Sequence, residues 1–179
     1  MFKKGLKSMS YQLISKIVED YQIRLADYAP TQRDQNWQLR LKLVQNLDPI
    51  NDAHALYNRA KSDRNWHIRI EALNKLDKEK YEDLFLHKLK HDTNWHVRQD
   101  CMEKLDTIKY EALIKERARK DPSWHVRRDA INMLDPIKFK DFLQERLKKD
   151  LSWHIRQDIR DILDLSPSQP DNPSTPEKP

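Results

Sequence analysis

The segment DTNWHVRQDCMEKLD, residues 92–106, decides the fold. Its opening word, DTNWHVR, returns as DQNWQLR at 34–40, DRNWHIR at 63–69, DPSWHVR at 121–127 and DLSWHIR at 150–156. The tryptophans Trp37, Trp66, Trp95, Trp124 and Trp153 therefore stand 29 residues apart. Three residues before them stand Asp34, Asp63, Asp92, Asp121 and Asp150, and three after them Arg40, Arg69, Arg98, Arg127 and Arg156. Each word ends ten residues past its Trp in Leu47, Leu76, Leu105, Leu134 or Leu163, always followed by Asp. A fixed period of this length is the signature of stacked supersecondary units, each too small to bury its own apolar face.

Each unit reads as two helices. In the second, Ser123 to Leu134, the apolar residues Val126, Ala130, Ile131, Met133 and Leu134 make a helical stripe and not a strand alternation. Asp121-Pro122 suits its start, as a capping carboxylate followed by a residue fit for the first turn. The next first helix follows Asp135-Pro136, with Ile137, Phe139, Phe142, Leu143 and Leu147 apolar, and Asp48-Pro49 makes the same start earlier. Periodicity predicts second helices near 36–47, 65–76, 94–105, 123–134 and 152–163. First helices are predicted near 50–61, 79–90, 108–119 and 137–148. A longer amphipathic helix near 10–28, off the register and capped by Ser8 or Ser10, is expected as an N-terminal cap.

The expectation is thus an all-α solenoid over 10–164, a cap helix plus about five repeats. A flexible basic segment (1–9) precedes it and a Pro-rich tail (165–179) follows. From Ser166 the tail has five of the nine prolines and no large apolar residue, so it is expected to stay disordered.

Composition narrows the job. The 179 residues are 37% hydrophobic and 35% charged, with a net charge of +5, one glycine (Gly5) and one cysteine (Cys101). Phosphate-cradling loops and tight hairpin turns need glycine, so a nucleotide-driven enzyme or a hairpin-rich β protein is excluded. A lone thiol forms no intramolecular disulfide and fits a reducing compartment. The start lacks an apolar signal core and no run is long enough to span a membrane, so a cytoplasmic protein without membrane contact is expected.

The pattern D-x-x-W-x-[VI]-R-x-x-A-x-x-x-L resembles the second helix of HEAT-like repeats, of the short bacterial type also found in phycobilin lyase subunits. The resemblance covers residues 31 to 164. It implies a right-handed α-solenoid, armadillo-like in architecture, whose second helices line the concave side. It also implies that the ladder residues Asp34, Asp63, Asp92, Asp121 and Asp150 interlock with Arg40, Arg69, Arg98, Arg127 and Arg156 between units. Two departures stand out. The Leu-Gly that often closes the second helix is Leu-Asp here, and Arg160 replaces the apolar Val44, Leu73, Met102 and Ile131 of the other units. HEAT-like arrays serve mostly as binding scaffolds, so the resemblance implies a class of work and no named partner.

Three columns are candidates for function. The tryptophans sit at the edge of the core stripe, where an indole either stacks on a ligand or covers the seam between units and meets the next Arg by cation–π attraction. Beside them runs a histidine column, His67, His96, His125 and His154, with Glu71, Asp100, Asp129 and Asp158 four residues on. The spacing puts each His and acid on one helix face. One His and one carboxylate per helix is an incomplete metal-ligand set, so no metal and no cofactor is expected. The choice lies between a solvated face and a strip that binds a protein or peptide. The third set is basic, Arg59, Lys88, Arg117 and Arg146 beside Lys61, Lys90, Arg119 and Lys148, in the last turns of first helices where cations suit the helix dipole.

The expected function is a protein-binding scaffold, adaptor or regulator. The alternative is a nucleic-acid-binding solenoid using the basic columns, but each full unit nets only +1 or +2. A lyase or DNA-glycosylase relative is the third reading. No nucleophile with an orienting base is found to support an enzyme.

Overall fold

The computed structural model describes residues 37–164. The chain divides into two compact units, residues 1–38 and 39–179, and the array below belongs to the second apart from the first two residues of its first helix. The expected cap helix at 10–28, the basic start, Asp34 and the tail lie outside the described residues.

Among the described residues the protein is all-α. Five second helices carry the Trp words: α1 (Trp37–Asn46), α3 (Trp66–Lys75), α5 (Trp95–Lys104), α7 (Trp124–Asn132) and α9 (Trp153–Ile162). First helices alternate with them: α2 (Ala53–Ser62), α4 (Glu82–His91), α6 (Glu111–Lys120) and α8 (Lys140–Lys149). Each first helix packs on the second helix after it, making the hairpins α2–α3, α4–α5, α6–α7 and α8–α9. Second helices then stack on second helices, α3 on α5, α5 on α7 and α7 on α9. This is a solenoid of 29-residue hairpins.

The core is one apolar layer per unit. Ile68, Ala72 and Leu73 of α3 are buried, as are Val97, Cys101 and Met102 of α5 and Val126, Ala130 and Ile131 of α7. The facing helices supply Leu56, Leu84, Phe85, Leu89, Ile114, Phe142 and Leu143. Leu47, Leu76, Leu105 and Leu134 close each layer. The predicted stripe of the second helices is therefore the core face, with Met133 only half-buried.

First helices begin three residues later than periodicity predicts. Asp48 instead opens a capped turn, its Oδ1 accepting from the N–H groups of Ile50 (2.9 Å) and Asn51 (2.8 Å). Asp77, Asp106 and Asp135 do the same for the residues two and three beyond them. Asp52, Tyr81, Tyr110 and Phe139 then depart from helical geometry, with φ between −113° and −108° and ψ from 16° to 25°. The turn sets the chain's direction before the helix starts. Ile50, Ile108 and Ile137 lie on these turns and are 86–90% exposed, so Ile137 does not belong to the apolar stripe.

The joints also explain the missing glycine. The first helices end at Asp63, Asp92, Asp121 and Asp150 with extended backbone, φ −71° to −60° and ψ 135° to 139°. α3 and α5 end at Leu76 and Leu105, likewise extended. Among the described residues only Asp164, where the array ends, has a positive φ, 51°. No inner joint needs the left-handed region that favours glycine.

Pro122 lies in a joint and is not the first residue of a helix, because α7 starts at Trp124 behind Ser123. In α3 and α5 the capping is done by Asn65 and Asn94, whose side chains accept from His67 and His96 N–H (both 2.9 Å).

Candidate functional site

The ladder aspartates are four-way junctions. Asp92 ends α4, and its Oδ1 accepts from Asn94 N–H at 3.0 Å, turning the chain into α5. From the preceding unit, Arg69 donates Nε to Oδ2 (2.9 Å) and Nη2 to Oδ1 (2.5 Å). From its own hairpin, Lys88 Nζ donates to Oδ2 at 3.0 Å. Asp121 takes the same fork from Arg98 at 2.9 and 2.7 Å, Asp150 from Arg127 at 3.1 and 3.0 Å, and Asp63 from Arg40 at 3.1 and 3.2 Å. Each inner Arg also reaches back. Nη1 of Arg69, Arg98 and Arg127 donates to the backbone carbonyl of Asp63, Asp92 and Asp121 at 2.8, 2.8 and 2.9 Å. One guanidinium so ties two consecutive aspartates together.

The Arg69–Asp92 and Arg98–Asp121 pairs are buried, and in the Arg40–Asp63 and Arg127–Asp150 pairs the aspartate is buried and the arginine half-buried. Burial pushes the carboxyl of Asp92 up, but the Arg69 fork, the Asn94 N–H and Lys88 outweigh it and hold the group below its ordinary 3.8. Asp150 is held low in the same way, by Arg127, Ser152 N–H and Arg146 against burial.

The first-helix cations that complete these junctions were not legible as such in the sequence. Arg59, Lys88, Arg117 and Arg146 pair with Asp63, Asp92, Asp121 and Asp150 at 3.4, 3.0, 3.8 and 2.6 Å. Lys88 and Arg146 are buried. The first of the two basic columns is thus spent on the ladder. The second, Lys61, Lys90, Arg119 and Lys148, is exposed, and Arg119 meets Glu145 at 3.1 Å.

Tryptophan and histidine form a single alternating stack. Trp66 lies on His67 (ring centroids 3.5 Å apart) and on His96 of the next unit (4.4 Å, 11° between planes). Trp95 repeats this with His96 (3.5 Å) and His125 (4.4 Å, 11°). Trp124 follows with His125 (3.8 Å) and His154 (5.1 Å). The indole does cover the seam, but its partner is the next unit's imidazole and not the next Arg, whose guanidinium is engaged by aspartate. At the last unit the pattern loosens: Trp153 meets His154 edge-on, at 5.2 Å and 74°, and is 54% exposed. Burial first, and then the neighbouring His125 and His67, lower the pKa of His96 below its ordinary 6.5. The ring lies between two indoles.

The acids four residues past these histidines take no part in the stack. Those acids form a row of their own along the second helices, all half-buried. Asp100 meets Lys104 through Oδ1, yet its Oδ2 is buried without a partner. Burial raises the Asp100 carboxyl, more than Lys104 lowers it. Asp129 is raised too, by burial and then by the negative charge of Glu103 on the preceding second helix. Asp158 ends the row and is bound by both Nε and Nη2 of Arg128, across the α7–α9 seam. Glu103 was missed in the sequence because its column reads Gln45, Asn74, Glu103, Asn132 and Asp161, with an acid in only two of the five units.

Among the described residues no group of three or more His, Cys, Asp or Glu could hold a metal ion, and no helix is long and apolar enough to cross a membrane. Cys101 is fully buried and burial pushes its thiol far up, away from the reactive thiolate. No protein-family model, no curated protein and no solved structure matches this chain at a significant level.

Proposed function

We propose that this chain is a HEAT-like repeat scaffold, cytoplasmic and non-enzymatic, whose second helices present an acidic row to a basic segment of a protein partner. The observation that carries the reading is the row of half-buried carboxylates Glu71, Asp100, Asp129 and Asp158, in which one oxygen of Asp100 is buried without a partner. Elsewhere along the array the ladder carboxylates meet cations within and between units. In the row, Asp100 and Asp129 each lie near the negative charge of Glu103, and although Asp100 pairs with Lys104 its second oxygen is buried without a partner. A Lys- or Arg-rich peptide laid along the row would supply the missing donors and relieve the repulsion. On the HEAT-like reading the row lies on the concave side. His67, His96, His125 and His154 then serve the row by fixing the spacing of the units, through their stack with tryptophan.

A triple variant, Glu71→Lys, Asp100→Lys and Asp129→Lys, tests this. With helicity confirmed by circular dichroism, a fluorescent Lys/Arg-rich peptide that binds the natural chain should bind the variant at least about tenfold more weakly. Equal affinity would remove the row from the reading. Nucleic acid is the second reading, favoured by the exposed column Lys61, Lys90, Arg119 and Lys148. A labelled duplex whose affinity falls steeply as salt rises, and which is indifferent to the triple variant, would favour it.

A further inference from the structure

The terminal hairpin α8–α9 keeps the interlocking groups of an inner unit and has no described unit beyond it to receive them. Arg156 donates Nη1 to the backbone carbonyls of Asp150 (2.7 Å) and Leu151 (3.3 Å), just as the inner arginines reach back. In Arg40, Arg69, Arg98 and Arg127 the other two donors, Nε and Nη2, hold both oxygens of the next aspartate. In Arg156 these donors meet no acceptor among the described residues. The next ladder position, 29 residues past Asp150, is Pro179, which has no carboxylate side chain to offer.

Two neighbours make this more than a lone cation. Trp153 keeps its indole half-exposed where Trp66, Trp95 and Trp124 are each covered by the next imidazole. Arg160 occupies the position that inner units fill with Val44, Leu73, Met102 and Ile131, each buried to within 1%. Trp153, Arg156 and Arg160 are spaced i, i+3, i+7, so one face of α9 carries an indole and two guanidiniums.

We propose that this face of α9 is a docking site for an acidic segment of another polypeptide, one that places an aspartate or glutamate carboxylate on the Arg156 fork and a flat ring on Trp153. The occupant's chemistry is given by the array itself. Every inner fork takes a carboxylate bidentately, and every inner indole of the stack takes a ring from the same incoming segment, the word Asp-x-x-Trp-His. Arg160 adds a second positive charge where a repeating unit would bring apolar surface, so the face suits an acidic partner better than another copy of the repeat core. This site is separate from the acidic row, and the two stand or fall independently.

The test uses the full chain and a dye-labelled synthetic peptide in which residues 121–125, the word that supplies Asp121, Trp124 and His125 inside the array, are flanked on each side by glutamates. Fluorescence anisotropy should show saturable binding, together with a shifted Arg156 Nε–H resonance in NMR spectra of the protein. Losing one charge-assisted fork should weaken binding by roughly tenfold to a hundredfold. That loss is expected for Asp121→Asn in the peptide and for Arg156→Gln or Trp153→Ala in the protein. Trp153→Ala removes a half-exposed ring and keeps the fold even if the Arg156 variant does not. Binding that ignores all three substitutions, or no binding at all, overturns the proposal. So does a concentration-dependent oligomer of the full chain that Arg156→Gln disperses, which would make a second copy the occupant. A large gain in peptide affinity on deleting 165–179 would overturn it as well, in favour of the chain's own tail.

Discussion

At Asp121 one carboxylate, 1% exposed, meets Arg98 from the preceding unit and Arg117 from its own hairpin. Burying such a pair gains little over an apolar pair of the same shape, but removing one partner strands a charge in a dry setting. Arg98→Ala should therefore cost about 3–5 kcal/mol of unfolding free energy, measured by urea titration. A midpoint equal to that of the natural chain would show that the ladder does not hold the units together. The Asp and Arg of the ladder were legible in the sequence because identity and spacing repeat without exception. The third member was not. Its column varies between Arg and Lys, and a cation in the last turn of a helix already has an ordinary explanation in the helix dipole.

At the scale of the helix, the hairpins carry two opposite pH responses, one on the second helices and one at the ends of the first helices. Asp100 and Asp129 have raised pKa values in the folded chain, through burial first. Between 3.8 and those raised values the folded state binds more protons than the unfolded one, so this contribution to stability grows as pH falls through the window. Asp92 and Asp150 have lowered values, so their contribution is full above 3.8 and is lost as pH falls through the folded values. Asp100→Asn removes its share of the first response and leaves the second in place. The stability of the natural chain relative to this variant should increase as pH is lowered from 7 towards 4, followed by chemical denaturation at each pH; a constant difference would show that the Asp100 carboxyl is not raised on folding. The second helices were placed to within a residue or two by their periodicity. First helices were placed too early because Ile50, Ile108 and Ile137 mimic an apolar stripe while sitting on aspartate-capped turns. The Trp–His alternation was out of reach for a different reason: a helical wheel orders the residues of one helix, whereas this stack depends on the register between two.

Across the whole array, burial and bonding are local, each hairpin touching its neighbours and no unit standing alone. Such a molecule gains its cooperativity from interfaces and loses it first at an uncovered end. The tail from 166 onward has no apolar residue to bury, so its deletion should leave helicity and the unfolding midpoint unchanged. A lowered midpoint in thermal melts followed by circular dichroism would show that the tail covers part of the array. The junctions carry a consequence for how such a chain changes length. Each inner arginine looks back to its own aspartate and forward to the next, and no inner joint among the described residues has a positive φ. An in-frame duplication or loss of one whole repeat in the coding sequence therefore leaves every surviving junction with the partners it had. Any other length of insertion within the array sets arginine and aspartate out of phase at once. Growth by whole units is the change such an array can make without redesigning a single contact.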